Sequence, residues 1–122
     1  MPASLYARLG GYDAIATFAT RLVARAQSDD LLGRFWDNRG TDRKARELQL
    51  LIDYLVRQTG GQMHYTGRDM ALAHTGMGIT QADWSRFVEL VSRTAGELGV
   101  GATEGGEVMA FLDSLKRDIV EA

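Results

Sequence analysis

Apolar residues recur along this chain at three- and four-residue spacing. Ile15, Phe18, Leu22 and Ala26 form one such stripe, predicting a helix from Asp13 to about Gln27. Leu48, Leu51, Ile52 and Leu55 form a second, with Leu50 and Tyr54 to one side, over a helix from about Asp42 to Gln58. Trp84, Phe87, Val88, Val91, Ala95 and Leu98 give the clearest pattern, and Val108, Phe111, Leu112, Leu115 and Ile119 give the last. No segment alternates apolar and polar residues with period two, so no sheet is expected. The fold class is all-α, with six or seven helices around one core.

The residues between the stripes supply starts and stops. Ser4 is placed to cap a short first helix carrying Leu5, Tyr6 and Leu9, which Gly10-Gly11 closes. Asp13 opens the second helix, and Ser28-Asp29-Asp30 ends it before a short turn reaching Phe35-Trp36. Residues 37–43 are polar and aperiodic and predict a surface loop. Thr59-Gly60-Gly61 stops the next helix. Thr66 with Asp69, and Thr80 with Asp83, have the spacing of capping boxes. Gly105-Gly106 predicts a frayed start to the last helix.

Composition narrows the functions. A length of 122 residues suits one domain spanning residues 1–122. The net charge is −2 and no segment is dominated by Lys or Arg, so the surface that nucleic-acid binding needs is absent. There is no cysteine, which excludes disulfides, thiolate zinc, iron–sulfur clusters and a cysteine nucleophile. No apolar run approaches the ~18 residues of a membrane span. The first residues lack the charged and apolar regions of a secretory signal, so a cytoplasmic location is expected. The carboxylates lie scattered on polar faces, and the glycines lack phosphate-cradling spacing.

One stretch carries chemistry. In residues 65–79, Met70, Ala73, His74 and Met77 stand at i, i+3, i+4 and i+7, on one face of a short helix. A histidine on an apolar face is either a hydrogen-bonded core residue or a metal ligand, and this spacing alone leaves both open.

The order of motifs decides further. LYARLGG at residues 5–11, FW at 35–36, and GGQMHYTGRDMALAHTGMGIT at 60–80 precede an aromatic-rich helix. In that order and spacing, over nearly the whole chain, the sequence resembles the group I truncated haemoglobins. The resemblance implies a truncated globin-like fold, a two-over-two helical sandwich around haem b (iron protoporphyrin IX). It implies that His74 is the proximal iron ligand, its other ring nitrogen donating to a carbonyl near Met70 or Leu72. It also implies that Met70, Met77, Ile79, Phe87 and Leu112 pack on the porphyrin, and that Tyr65 and Arg68 meet a propionate.

On the opposite side of the haem the chain departs from the family. Many members carry a tyrosine on the second helix that hydrogen-bonds the gas ligand; the matching position here is Val23, which cannot donate. Trp36, beside Phe35, stands where a phenylalanine usually packs on the haem. A distal glutamine is common in the family. Gln49 is near that site, but counting back from Gly60-Gly61 puts Leu51 there, with Lys44 or Glu47 near the mouth. Gln49, Tyr54 and Trp36 are the donors that could replace the missing hydroxyl. His64 follows Gly60-Gly61, beyond the distal helix, so two-histidine ligation is not expected.

Two functions follow from the resemblance. One is reversible binding of O2, CO or NO for transport or sensing. The other is a haem enzyme carrying out nitric-oxide dioxygenation or peroxidase-like chemistry, which requires a reductase. The partners expected are a diatomic gas and, for the enzyme, that reductase; the chain is expected as a monomer or weak homodimer, without nucleic acid or membrane.

Overall fold

The computed structural model describes residues 3–63, 67 and 69–121. Among them the chain forms six α-helices, one 3-10 turn and no strand. These are α1 (Leu5–Leu9), α2 (Gly11–Ser28), the 3-10 turn (Gly33–Trp36), α3 (Thr41–Gln58), α4 (Met70–His74), α5 (Gln81–Glu97) and α6 (Ala102–Ile119).

Local chemistry sets most boundaries. Ser4 Oγ accepts from the Ala7 N–H at 3.1 Å and caps α1. Gly10, at φ +111°, closes α1 and directly precedes α2. The second helix therefore starts at Gly11, and Asp13 lies in its first turn rather than before it. α3 begins at Thr41, inside the expected 37–43 loop, with Asp42 in the first turn where a carboxylate meets the positive helix end. The capping box of α5 forms as expected: Asp83 N–H donates to Thr80 Oγ1 (3.1 Å) and Thr80 N–H to Asp83 Oδ2 (2.9 Å).

Two expectations are corrected. The cap of α4 is Asp69, whose Oδ1 accepts from Leu72 N–H at 2.9 Å; Thr66 lies outside the described residues. α6 runs from Ala102 through Gly105-Gly106 without fraying. Packing of Val108, Met109 and Leu112 against buried residues of α2 and α5 outweighs the glycines' poor helix propensity.

α2 is the hub, packing on α1, α3, α5 and the 3-10 turn, while α6 takes α1, α4 and α5. The buried apolar residues fall into three clusters. Leu22, Ala26, Leu32, Leu90 and Val91 join α2 to α5. Ile15, Ala19, Ile52 and Val56 join α2 to α3. Ile79, Trp84 and Ile119 join the start of α5 to the end of α6. Ion pairs brace the outside: Arg8 of α1 pairs with Glu107 of α6, and Arg25 of α2 with Glu97 of α5. No described helix is long and apolar enough to cross a membrane.

The glycine pair after α3 allows a close approach. Tyr6 N–H donates to the Thr59 carbonyl at 2.8 Å, docking α1 on the end of α3. A Cβ on Gly61 would lie 2.6 Å from Val56 Cγ1 and 2.9 Å from the Tyr6 ring.

Candidate cofactor site

α4 is only five residues long, too short to be stable alone, and it is pinned at both ends. Asp69 caps its start. Beyond its end, Gly76 and Gly78 donate backbone N–H groups to the two oxygens of Glu121, at 3.0 and 2.8 Å. Those N–H groups, Gly76 first and then Gly78, hold the Glu121 carboxyl below its usual range.

His74 is the last residue of α4 and is half-buried. Its Nδ1 lies 2.8 Å from the Met70 carbonyl. A carbonyl oxygen only accepts, so Nδ1 carries the hydrogen, and in the neutral ring Nε2 keeps the lone pair. That is the tautomer of a metal-ligating histidine whose second nitrogen is oriented by the backbone. Among the described residues no group of three His, Asp or Glu side chains could hold a metal ion. An iron porphyrin brings four nitrogen donors of its own and asks only one imidazole of the protein.

The apolar residues around α4 suit such a plate. Met70 and Met77 are half-buried and pack with Phe35 and Leu112 against the Ile79, Trp84 and Ile119 cluster. Phe35 and Leu112 also pack against the α2–α5 cluster, as do Phe87 and Trp36. The structure thus brings Met70, Met77, Ile79, Phe35 and Leu112 together, with Phe87 and Trp36 adjoining through the shared residues. Half-covered aromatic and thioether side chains have apolar surface left to offer a flat ring system.

The residues expected opposite His74 come from α2 and α3. Val23 is half-buried on α2. Leu51 is half-buried on α3 and packs with Leu48 and Leu55 against the α2–α3 cluster. Gln49 points elsewhere: its amide donates to the Tyr12 hydroxyl (3.0 Å) and to Asp53 Oδ1 (2.9 Å) at the surface. Glu47 is engaged by Arg39 and Arg43. The Tyr54 ring lies 6.1 Å from that of Phe111 on α6. Tyr65 and Arg68 lie outside the described residues.

Glu121 and Phe18 were not anticipated as site residues. Phe18 belongs to the α2 stripe and packs beside Phe35, Trp36 and Phe87 against the α2–α5 cluster, so its periodicity was the available signal. Glu121 has no local signal, because its partners lie more than forty residues away.

A family model described as bacterial-like globin matches residues 4–121. The chain is similar to the group 1 truncated hemoglobin of Tetrahymena thermophila, 26% identical over 115 residues, covering 94% of this chain and 93% of that protein. Among solved structures it is similar to a mutant truncated hemoglobin from Tetrahymena pyriformis in the Fe(III) form, with a TM-score of 0.88, 25% identity and coverage of 98% and 100%. The 2/2 hemoglobin from Synechococcus sp. PCC 7002, in the cyanomet state with covalently attached heme, gives a TM-score of 0.86 at 27% identity, covering 97% and 98%. The all-α architecture is that of the truncated 2/2 hemoglobins.

Proposed function

The chain belongs to the bacterial-like globin family and is a haem globin, and on that premise we propose that it reversibly binds a diatomic gas at a haem held by His74. The observation that carries this reading is the His74 Nδ1 contact to the Met70 carbonyl, which leaves Nε2 free to ligate. Met70, Met77, Ile79, Phe35 and Leu112 hold the ring by apolar contact, and Phe87 and Trp36 extend that wall. Tyr65 and Arg68 are assigned to the propionates. Haem supplies the iron on which the gas binds.

The opposite face is assigned to Val23 and Leu51, two hydrocarbon side chains. Gln49 is left out of it, because its amide is occupied by Tyr12 and Asp53. The polarity of that face decides which gas is held. Dioxygen gains negative charge on binding and depends on a hydrogen-bond donor; carbon monoxide depends on one less. With Val23 and Leu51 as that wall, holding oxygen rests on a donor from Tyr54 or Trp36, and without one carbon monoxide or nitric oxide is favoured over oxygen.

The test is spectroscopic. Purified protein reconstituted with haem should take up one equivalent and show a Soret band with reversible carbon monoxide binding. His74→Gly should lose ligation, and added imidazole should restore it. No haem uptake by the wild-type chain, or a His74→Gly spectrum identical to wild type, would overturn the reading.

A further inference from the structure

We infer that Glu121 is a positioning residue for the proximal histidine: its carboxylate fills a backbone nest at Gly76–Gly78 and so fixes the turn that leaves His74. This rests on the assignment of His74 as the iron ligand.

Gly76 and Gly78 sit at φ +84° and +69°. A Cβ at either would meet nothing within 4 Å, so space does not require glycine there; the backbone conformation does. Closely spaced N–H groups in such a conformation converge on a concavity that binds anions. Here the anion is supplied by the chain itself. Gly76 N–H donates to Glu121 Oε2 at 3.0 Å, and Gly78 N–H to Oε1 at 2.8 Å.

The nest is tied to both neighbours. Met77 N–H donates to the His74 carbonyl at 3.2 Å, linking the turn directly to the histidine. Glu121 N–H donates to the Ile79 carbonyl at 2.9 Å, so the same residue grips the turn through backbone and side chain. Its aim is set by the residues before it: Ile119 is buried and Val120 packs in the same cluster as Met77 and Ile79. His74 is thereby held twice, its ring by the Met70 carbonyl and its backbone by the turn that Glu121 grips. A five-residue helix cannot hold a ligand's orientation unaided, and this second anchor supplies what its length does not. A side chain that acts on the iron only through another residue is in the position of an outer-shell partner, which tunes a ligand by orienting it.

The experiment uses the haem-loaded protein with Glu121→Ala and the milder Glu121→Gln, which keeps one acceptor oxygen. Two quantities are read: the iron–histidine stretching band of the ferrous, ligand-free form by resonance Raman, and amide hydrogen exchange at Gly76 and Gly78. In Glu121→Ala the band should shift and broaden, and exchange should speed up by about tenfold or more. Glu121→Gln should fall between. Added formate or acetate should refill the nest of Glu121→Ala and return both readings towards wild type. An unmoved band overturns the inference, even where exchange quickens, because the clamp would then exist without orienting the histidine. His74→Gly, run in parallel, separates the two failures: if it leaves haem ligation intact, it is the assignment of His74 that falls.

Discussion

Arg34 Nη2 donates to Asp83 Oδ2 at 2.7 Å and so ties the 3-10 turn carrying Phe35 and Trp36 to the first turn of α5. Asp83 is 1% exposed and the same oxygen also accepts from Thr80 N–H. Its Oδ1 is buried without a hydrogen-bond partner among the described residues. The Arg34 guanidinium also stacks 4.3 Å above the Phe35 ring. One carboxylate therefore holds a helix start and the turn that leads into the cofactor site.

Loss of that carboxylate is expected to destabilise the fold. Asp83→Ala removes charged hydrogen bonds and half of a capping box, at a cost of about 1.5–3 kcal/mol. Urea unfolding at neutral pH measures it. Thr80→Ala, which removes only the cap hydroxyl, should cost about 1 kcal/mol.

The same pair gives a pH dependence with a definite sign. The hydrogen bond from Arg34, opposed by burial and aided by Thr80, holds the Asp83 carboxyl below the usual aspartate range. A carboxyl lowered in the folded state contributes stability that is fully present above its unfolded pKa of about 3.9. That contribution is lost as pH falls through the folded value. Asp83→Asn should be less stable than wild type at neutral pH, and the gap should close below about pH 4. A constant gap across the acid limb would show that another carboxylate carries the effect.

Gly61→Ala is expected to be destabilising by about 1–3 kcal/mol through overpacking. The added methyl would press on Val56, which is almost wholly buried, and on the Tyr6 ring that docks α1. Thermal melts compare it with Gly40→Ala, where a Cβ meets nothing within 4 Å.

Val23→Tyr or Leu51→Gln should slow oxygen release by about tenfold to a hundredfold, the effect of one charge-assisted hydrogen bond. Carbon monoxide release should move far less. Stopped-flow displacement of oxygen by carbon monoxide measures both rates. Equal off-rates for wild type and both variants would place the gas away from these side chains.

Gln49→Ala should leave oxygen release unchanged, since that amide is spent on Tyr12 and Asp53. A faster release would return Gln49 to the gas-binding face.

The helices of the fold were legible because their stripes are long and their stops are glycines or capping residues. The boundaries that escaped did so for identifiable reasons. Gly10 ends one helix and opens the next, leaving no linker to read. Gly105-Gly106 looked like a fraying point because local propensity says nothing of the packing of Val108 and Leu112. The cap of α4 is Asp69, which the capping-box spacing makes the partner of a Thr66 cap. In the candidate site, a ligand's role for His74 comes only from the family resemblance, whereas its contact with the Met70 carbonyl follows from helical spacing, since Met70 is one turn before it. Glu121 does not, because a carboxylate reaching a backbone nest across the fold leaves no periodicity. Nor could a side chain such as Gln49 be aimed from sequence, where one residue's rotation around α3 separates the interior from the surface.

The division of the buried residues into three clusters has a thermodynamic consequence. Among the described residues, half-covered side chains such as Phe35 and Leu112 join the first and third, and the α2–α3 cluster shares no residue with either. A ligand that covers those side chains stabilises the folded chain by mass action, by about 4 kcal/mol when present at a thousand times its dissociation constant. The melting midpoint is then a titration curve for haem. Between haem-poor and haem-rich conditions, the lifetime of this chain against proteolysis becomes a readout of how much haem is to hand.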